Sequence, residues 1–227
     1  MPAAVFLDFD GVLVDSVAVK TAAMRRLFSH EKPAQRDAIV ELHERLGGIS
    51  RYRKFDIAFA EILRRPLSDD ERNRLGQRYS ELVVDAVVAA PMIAGAREFL
   101  ERRGGDCLLF VVSGTPEDEL QHILRRKGLA HFFASAHGSP RAKPDILRSL
   151  LAQWRLAPQD TVFVGDAATD REAAETCGIP FIGVAANASG NPFPPHIPVL
   201  ADLTELREAL GGWYVRPLAG STFGVRA

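Results

Sequence analysis

The sequence has few cysteines and no long hydrophobic run. Only two of its 227 residues are cysteines, Cys107 and Cys177, which are too few for a disulfide framework in a chain of this size. The longest apolar-rich stretch, residues 82–93, is interrupted by Asp85 and Pro91, whereas a membrane-spanning helix requires about 20 consecutive apolar residues. The first residues also lack the basic start and apolar stretch of a signal peptide. These absences predict a cytoplasmic protein that does not enter a membrane.

The charges of the sequence nearly cancel. Lysine and arginine number 28, aspartate and glutamate number 29, and the formal net charge is -1. This balance provides no overall field that would hold nucleic acid by bulk electrostatics, so we expect no nucleic-acid partner. Hydrophobic residues make up 47% of the chain, which is enough for a sizeable core. Any affinity for an anion must therefore come from a local site. The sequence does not indicate an oligomeric state.

Several short apolar runs predict buried strands. They occupy residues 5–9, 107–112, 161–164 and 180–184, and residues 131–136 form a further strand-like piece. Helical patterns separate them, at residues 117–127, 144–154 and 171–177. Because the runs lack the polar alternation of half-exposed strands, they predict an α/β fold with a mostly parallel sheet that helices cover on both faces.

The segment after the first strand has a different pattern, with no convincing strand. Apolar residues recur every three or four positions at residues 75–87, and residues 55–63 carry a second apolar stripe. Ser68 followed by Glu71 is typical of a capping box at the start of a helix. We therefore expect a helical insertion at residues 16–90 and an α/β core made of residues 1–15 and 91–227. The residues after Gly211 show no periodicity and are expected to form a loosely attached extension.

Two aspartates follow the first predicted strand. Asp8 and Asp10 are separated by one residue, and side chains at positions i and i+2 of an extended chain point the same way. In a parallel sheet they would lie at the carboxyl edge, where ligands bind. Two close carboxylates repel each other unless a cation or a proton compensates, and a hard divalent cation prefers oxygen ligands. The alternative is a turn with two solvated acids.

Further polar residues follow the later strands. Ser113, Gly114 and Thr115 place hydroxyls and flexible backbone just before a predicted helix, which is typical of an anion site. A cap for that helix is the alternative role for Thr115. Lys143 precedes a proline in a predicted loop, where its ammonium faces either a phosphate oxygen or only solvent.

Asp166 follows a later strand, and Asp170 comes one helical turn after it. Taken alone, this pair also fits a helix cap. The order of the motifs is more specific: Asp-x-Asp, Ser-x-Thr, Lys and Gly-Asp-x-x-x-Asp, each after a strand. In that order, the chain resembles the haloacid dehalogenase-like hydrolase superfamily over nearly its whole length, except the C-terminal extension. Residues 8–16, Asp-Phe-Asp-Gly-Val-Leu-Val-Asp-Ser, are typical of its phosphoglycolate phosphatase-like branch.

The resemblance implies a Rossmann-like core with an inserted α-helical cap and a Mg²⁺-dependent phosphatase activity on a small phosphate ester. It implies that Asp8 is the nucleophile that forms an aspartyl-phosphate, and that Asp10 is the general acid and base. Lys143 would offset the charge that develops during phosphoryl transfer. Asp8, the Asp10 carbonyl and Asp166 would hold Mg²⁺, with Asp170 as a further ligand or as support for one.

The resemblance also implies roles in phosphate and substrate binding. Ser113 and the Gly114 amide would bind the phosphoryl oxygens, with Thr115 either helping or only capping its helix. In the cap, Arg51 follows a Gly-x-Ser run similar to one in the related β-phosphoglucomutases, so it is a candidate for binding the leaving group. Lys20, early in the insertion, is a second candidate.

Two alternative functions stay open at this point. A phosphotransferase or phosphomutase of the β-phosphoglucomutase type would return the phosphoryl group to a sugar, but that branch has a histidine early in its cap, near the place where this chain has Lys20. A non-catalytic module that binds a phosphorylated metabolite is the other alternative, although it would have no chemical use for both Asp8 and Asp10. The six histidines show no metal-ligand spacing and are expected at the surface or in structural roles.

Overall fold

The computed structural model describes residues 1–102, 107–186 and 191–211. A six-stranded sheet forms its centre, and every pair of neighbouring strands is parallel. The strands are β1 (Ala4–Leu7), β2 (Leu108–Pro116), β3 (Ser135–Ser139), β4 (Thr161–Gly165), β5 (Phe181–Val184) and β6 (Val199–Leu200). Their order is β3-β2-β1-β4-β5-β6, so β1 lies between β2 and β4. The carboxyl ends of these three central strands therefore meet at one edge.

The sheet is buried on both faces. Along β1, Val5 and Leu7 pack into one hydrophobic cluster, whereas Ala4 and Phe6 pack into another on the opposite face. All four side chains are fully buried. A strand covered on both sides has no solvent-facing positions, which explains why the sequence shows a continuous apolar run rather than an alternating pattern.

Four helices follow β1 along the chain, before α5 (Ala96–Arg102) and β2. They are α1 (Val17–Leu27), α2 (Pro33–Arg45), α3 (Arg51–Ile57), which continues into a π-helical turn at Ala58–Leu63, and α4 (Asp69–Ala89). The hydroxyl of Ser68 accepts a hydrogen bond from the Glu71 amide at 3.2 Å, as predicted for the start of α4. Phe55, Phe59 and Tyr79 are buried where these helices pack together. We refer to residues 16–90 as the cap.

The remaining helices cover the sheet. Helices α5 (Ala96–Arg102), α6 (Glu117–Arg126) and α9 (Leu206–Gly211) pack on one face, and α7 (Lys143–Trp154) and α8 (Ala168–Thr176) pack on the other. The predicted fold class is confirmed: a Rossmann-like α/β core with an inserted helical cap. The boundaries proposed for core and cap stay a prediction.

The structure differs from the sequence-based elements in several places. The third strand begins at Ser135, not at residue 131, because Ala130–Phe132 form a short 3-10 turn. Strand β2 continues through Pro116. Lys143, predicted in a loop, is the first residue of α7, a position that a following proline tolerates. The short strand β6 was not predicted, since two residues give no periodic signal. The extension predicted after Gly211 lies outside the described residues.

Within the described part of the chain, no helix is both long enough and apolar enough to cross a membrane.

Candidate active site

The predicted core residues meet at the carboxyl edge of the sheet. Asp8 follows β1 directly, Asp166 follows β4 directly, and Asp170 lies in the first turn of α8. One carboxylate oxygen from each of these three residues lies within 4.8 Å of the others. Lys143 reaches the same point from α7, with its Nζ 3.1 Å from Oδ1 of Asp8 and in contact with Asp170. Residues 162 positions apart in the sequence thus form one charged cluster.

Gly11 allows the chain to turn beside this cluster. Its φ of 77° lies in the left-handed region, which favours glycine. A Cβ atom at this position would lie 2.1 Å from Oδ2 of Asp166. The glycine of the Asp-x-Asp-Gly motif therefore lets the backbone after β1 approach the carboxylate after β4.

The cluster has more negative charge than its lysine compensates. Burial, together with the neighbouring carboxylates, raises the pKa of Asp8 to about 7 despite the nearby Lys143 ammonium. Burial and the charges of Asp8 and Asp170 also raise the pKa of Asp166. Burial alone would lower the pKa of Lys143, but Asp170 and Asp8 outweigh it and raise that pKa. Three converging carboxylates with a single ammonium form a donor set that fits a hard divalent cation such as Mg²⁺.

Asp10 lies beside the cluster with a separate set of partners. Its Oδ1 accepts a hydrogen bond from Ser16 at 2.5 Å, and its Oδ2 accepts bonds from Lys20 and from Thr115, the latter at 3.1 Å. Burial would raise the pKa of Asp10, but the Lys20 ammonium and these hydrogen bonds outweigh it and lower the pKa. The carboxylate of Asp10 is therefore held in a fixed orientation and in its ionised form in the ligand-free protein.

Lys20 and Thr115 both contact Asp10, which the sequence did not predict. Lys20, a candidate for contacting substrate, pairs with Asp10 and also donates to the Thr115 hydroxyl at 2.7 Å. The alternative in which Thr115 caps the next helix is wrong, because α6 begins at Glu117 after the extended residue Pro116. The Ser113 hydroxyl accepts a hydrogen bond from the Thr115 amide at 3.1 Å and thus shapes the end of β2.

The cap covers the cluster and encloses a cavity of about 290 Å³ between itself and the sheet edge. The hydroxyl of Thr169 donates a hydrogen bond to the Gly47 carbonyl of the cap at 2.6 Å. A Cβ atom on Gly114 would lie 2.5 Å from the carbonyl oxygen of Gly48. The backbones of cap and core therefore touch directly, and glycines at positions 48 and 114 make this close approach possible.

Arg51, the other candidate for substrate binding, lies at a junction between cap and core. Its guanidinium forms a two-pronged ion pair with Glu119 of α6, and it also donates to the Ser80 hydroxyl at 2.8 Å. It lies over the ring of Tyr79, 4.6 Å from the ring centroid. Arg51 does line the cavity, but its charge is already paired. Its role toward a substrate stays a prediction.

Two further cavity residues were not named individually as candidates for substrate binding. Lys54 and His43 line the cavity on its cap side and are 7% and 8% exposed. The Lys54 ammonium donates to the His43 carbonyl oxygen at 3.0 Å and lies 3.3 Å from His43 Nδ1. Lys54 belongs to the basic run that begins at Arg51, one helical turn earlier. The basic side chains of this run, which follow Gly47 and Gly48, are the part of the cap that the sequence favours for contact with an anionic leaving group. The spacing of Arg51 and Lys54 places the two on the same helix face.

The chain was compared with protein families and with individual proteins. The family model of the haloacid dehalogenase-like hydrolases matches residues 2–178. A phosphoglycolate phosphatase from Pseudomonas putida is 26% identical, over 93% of this chain and 80% of its own length. A phosphoglycolate phosphatase from Rhodospirillum rubrum is 27% identical, over 93% of this chain and 92% of its own length.

A solved structure supports the fold independently. The crystal structure of a hydrolase from Pseudomonas syringae superposes with a TM-score of 0.75 at 17% sequence identity, covering 93% of this chain and 98% of that one. Similarity at this level of identity concerns the fold alone. The family match, in contrast, covers well over half of the chain and includes every motif at the sheet edge. This chain belongs to the haloacid dehalogenase-like hydrolase family.

Proposed function

We propose that this protein hydrolyses a small phosphate monoester, with Mg²⁺ as cofactor and with Asp8 as the nucleophile that forms an aspartyl-phosphate. Family membership and the relatives establish the broader class, an enzyme of the phosphatase type. The observation that carries the finer proposal is the convergence of Asp8, Asp166 and Asp170 with the Lys143 ammonium at one sheet edge.

The proposed roles follow from the positions of the side chains. Asp8 lies at the centre of the cluster, where its carboxylate oxygen would attack phosphorus. Asp8, Asp166 and the Asp10 carbonyl would hold Mg²⁺, with Asp170 as a ligand or as support. When bound, the ion would neutralise charge on the phosphoryl oxygens. Lys143, which contacts both Asp8 and Asp170, would supply further positive charge at the same place.

Asp10 is proposed as the general acid and base. It lines the cavity but is oriented by Ser16, Lys20 and Thr115 rather than by the acidic cluster. It would give a proton to the leaving alcohol and later accept one from the attacking water. Because Lys20 favours the ionised form of Asp10, substrate binding would have to raise that pKa before the proton can be donated.

The substrate is proposed to be a small phosphorylated metabolite. Several relatives are named phosphoglycolate phosphatase, so 2-phosphoglycolate is the first compound to test. A cavity of about 290 Å³ lies just below the usual range for small-molecule sites, about 300–1,000 Å³. A short leaving group therefore fits better than a large one. As parts of the same proposal, the enzyme acts in the cytoplasm, and residues 16–90 form a separate cap over a core of residues 1–15 and 91–227.

The proposal is tested by phosphate release with and without Mg²⁺. We expect wild-type protein to hydrolyse p-nitrophenyl phosphate and 2-phosphoglycolate, and chelation of the metal to abolish both reactions. Asp8→Asn should reduce turnover by at least about 10⁴-fold, since an amide cannot replace the attacking carboxylate. Asp15→Asn is the matched control, because Asp15 is an exposed aspartate close by in the same segment.

Full activity of a folded Asp8→Asn variant would refute the nucleophile assignment. Formation of a sugar-phosphate isomer without free phosphate would favour the mutase alternative. Tight binding of phosphorylated metabolites without any turnover would favour the binding module.

A further inference from the structure

The cap side of the cavity contains a buried lysine whose charge has no carboxylate partner. Lys54 lies in α3, is 7% exposed and lines the cavity. No carboxylate of the described residues lies within 4 Å of its ammonium. Its hydrogen-bond partners there are the carbonyl oxygen and Nδ1 of His43. Burying an ammonium without an opposite charge is unfavourable, so this arrangement requires a functional or structural explanation.

The other buried or partly buried cationic groups of the site are each paired with an acid, and Arg45, which also lines the cavity, is exposed to solvent. Lys20 pairs with Asp10, and Arg51 pairs with Glu119. The third, the ammonium of Lys143, contacts Asp8 and Asp170. Lys54 is thus the one buried cation around the cavity that has no acidic partner among the described residues. On the cap side of the cavity, an anionic ligand would therefore meet a buried and unpaired positive charge at Lys54.

The hydrogen-bonding capacity of Lys54 leads to the same conclusion. An ammonium group has three donors, and His43 accounts for at most two of them, through its carbonyl oxygen at 3.0 Å and its Nδ1 at 3.3 Å. His43 can accept at Nδ1 because burial and the nearby Lys54 charge lower its pKa to about 3, which keeps the ring neutral. One donor of Lys54 is therefore left for a ligand in the cavity.

We propose that Lys54 selects substrates whose leaving alcohol carries a carboxylate, which its ammonium binds while the phosphate lies at Asp8. This inference rests on the proposed phosphatase function and adds the chemistry of the leaving group. A carboxylate matches a single ammonium donor in charge, whereas a second phosphate dianion would be only half compensated. The small cavity restricts the linkage between the two anions to a short one. A phosphorylated short-chain hydroxy acid satisfies both conditions.

The test compares two substrates of the same size that differ in one charge. The first is 2-phosphoglycolate, and the second is its neutral amide, 2-phosphoglycolamide. We expect wild-type protein to prefer the carboxylate in kcat/KM. Lys54→Met should reduce this preference by about 10- to 100-fold, the range expected for a hydrogen bond between charged groups. The loss should appear mainly as a higher KM for the carboxylate substrate.

Two variants control this measurement. Arg53→Met removes a positive charge from the adjacent, exposed position of the same helix, and it should leave the preference unchanged. Lys54→Arg keeps the charge, so it should retain most of the preference. Circular dichroism and thermal unfolding of each variant show that it is folded.

The outcomes separate this inference from the proposed function. An unchanged preference in a folded Lys54→Met variant that still hydrolyses p-nitrophenyl phosphate would overturn the role of Lys54 while the phosphatase assignment stands. The role of Lys54 in binding a carboxylate would also be overturned if wild-type protein prefers a sugar bisphosphate over 2-phosphoglycolate and Lys54→Met loses that preference. The anion bound by Lys54 would then be a phosphate, and the phosphatase assignment would still stand. Absence of all hydrolysis by wild-type protein would instead refute the function on which the inference rests.

Discussion

The two walls of the cavity are built differently. On the sheet side, acidic residues from separate strands crowd around one lysine, so negative charge is in excess. On the cap side, the charged residues come from helices, and positive charge is in excess because Lys54 lacks an acidic partner among the described residues. The sheet side is thus suited to a metal ion and to phosphoryl transfer. The cap side is suited to recognising the part of the substrate that leaves.

After the loss expected for Asp8→Asn, the largest effect is expected at Asp10, also on the sheet side. Asp10→Asn removes the proposed proton donor and acceptor but keeps the size of the side chain, so kcat should fall by about 10²- to 10⁴-fold. Substrate affinity should change much less, because Asp10 acts mainly in the transition state. Steady-state kinetics with 2-phosphoglycolate measures both quantities. Asp15→Asn serves again as the exposed control, and a kcat within twofold of wild type for Asp10→Asn would contradict the assigned role.

A second prediction concerns the ion pair that joins cap and core. Arg51 and Glu119 are 5% and 8% exposed, and removing one partner would leave the other charge buried and unpaired. We expect Arg51→Met or Glu119→Gln to lower the free energy of unfolding by about 3–5 kcal/mol. Combining Arg51→Met with Glu119→Leu should lower it by less than the sum of the single changes, since no charge is then left alone. Denaturant unfolding measures each value.

The matched control for this experiment is a second ion pair between the cap and the same core helix. Arg126 of α6 pairs with Asp85 of α4, but these side chains are 40% and 87% exposed. Because exposed pairs contribute only about 0–1 kcal/mol, Arg126→Met should have a small effect. Equal effects at the two pairs would show that burial is not the cause.

The smallest predicted effect is a pH dependence on the cap side. Burial, and next the charge of Lys20, lower the pKa of Lys54 to about 7, with further effects from Asp10, Lys143 and Arg51. His43 also faces the ammonium but stays neutral in this range. Lys54 therefore loses its charge as the pH rises through about 7. The preference for 2-phosphoglycolate over its amide should then fall by about five- to tenfold between pH 6.5 and pH 8.

The ratio of the two substrates is the appropriate measurement, because ionisation of the phosphate and of the acidic cluster affects both reactions alike. Lys54→Arg should make the ratio nearly independent of pH, since a guanidinium does not deprotonate in this range. A ratio that falls equally in wild type and Lys54→Arg would assign the pH dependence to another group.

The two walls also differ in how well the sequence predicts them. Asp8, Ser113 and Asp166 each follow a buried apolar run, and parallel strands bring their carboxyl ends to a common edge. Their convergence therefore follows from the strand pattern and the chain order. For Lys143 the sequence predicted correctly that the residue lies near the site, but it predicted a loop, whereas Lys143 is the first residue of α7. The sequence did not show where this helix begins.

The side-chain contacts of the cap could be predicted from the sequence less completely than those of the sheet edge. The partner of Arg51 is Glu119, 68 positions away on a different helix, and no local pattern links the two. Likewise, Lys54 and Arg53 are adjacent basic residues, yet one is 7% exposed and the other lies on the exposed side of α3. Helical periodicity shows that they point in different directions, but only the packing of α2 and α4 against α3 decides which one is buried.

The contact between Gly48 and Gly114 has a consequence for turnover. Where these two backbones touch without side chains between them, a ligand cannot pass, so any motion that lifts the cap away from the core must separate this contact. The hydrogen bond from Thr169 to Gly47 must break with it. If turnover requires the cap to open, the frequency of that opening would set an upper limit on the rate, however fast the chemical step is.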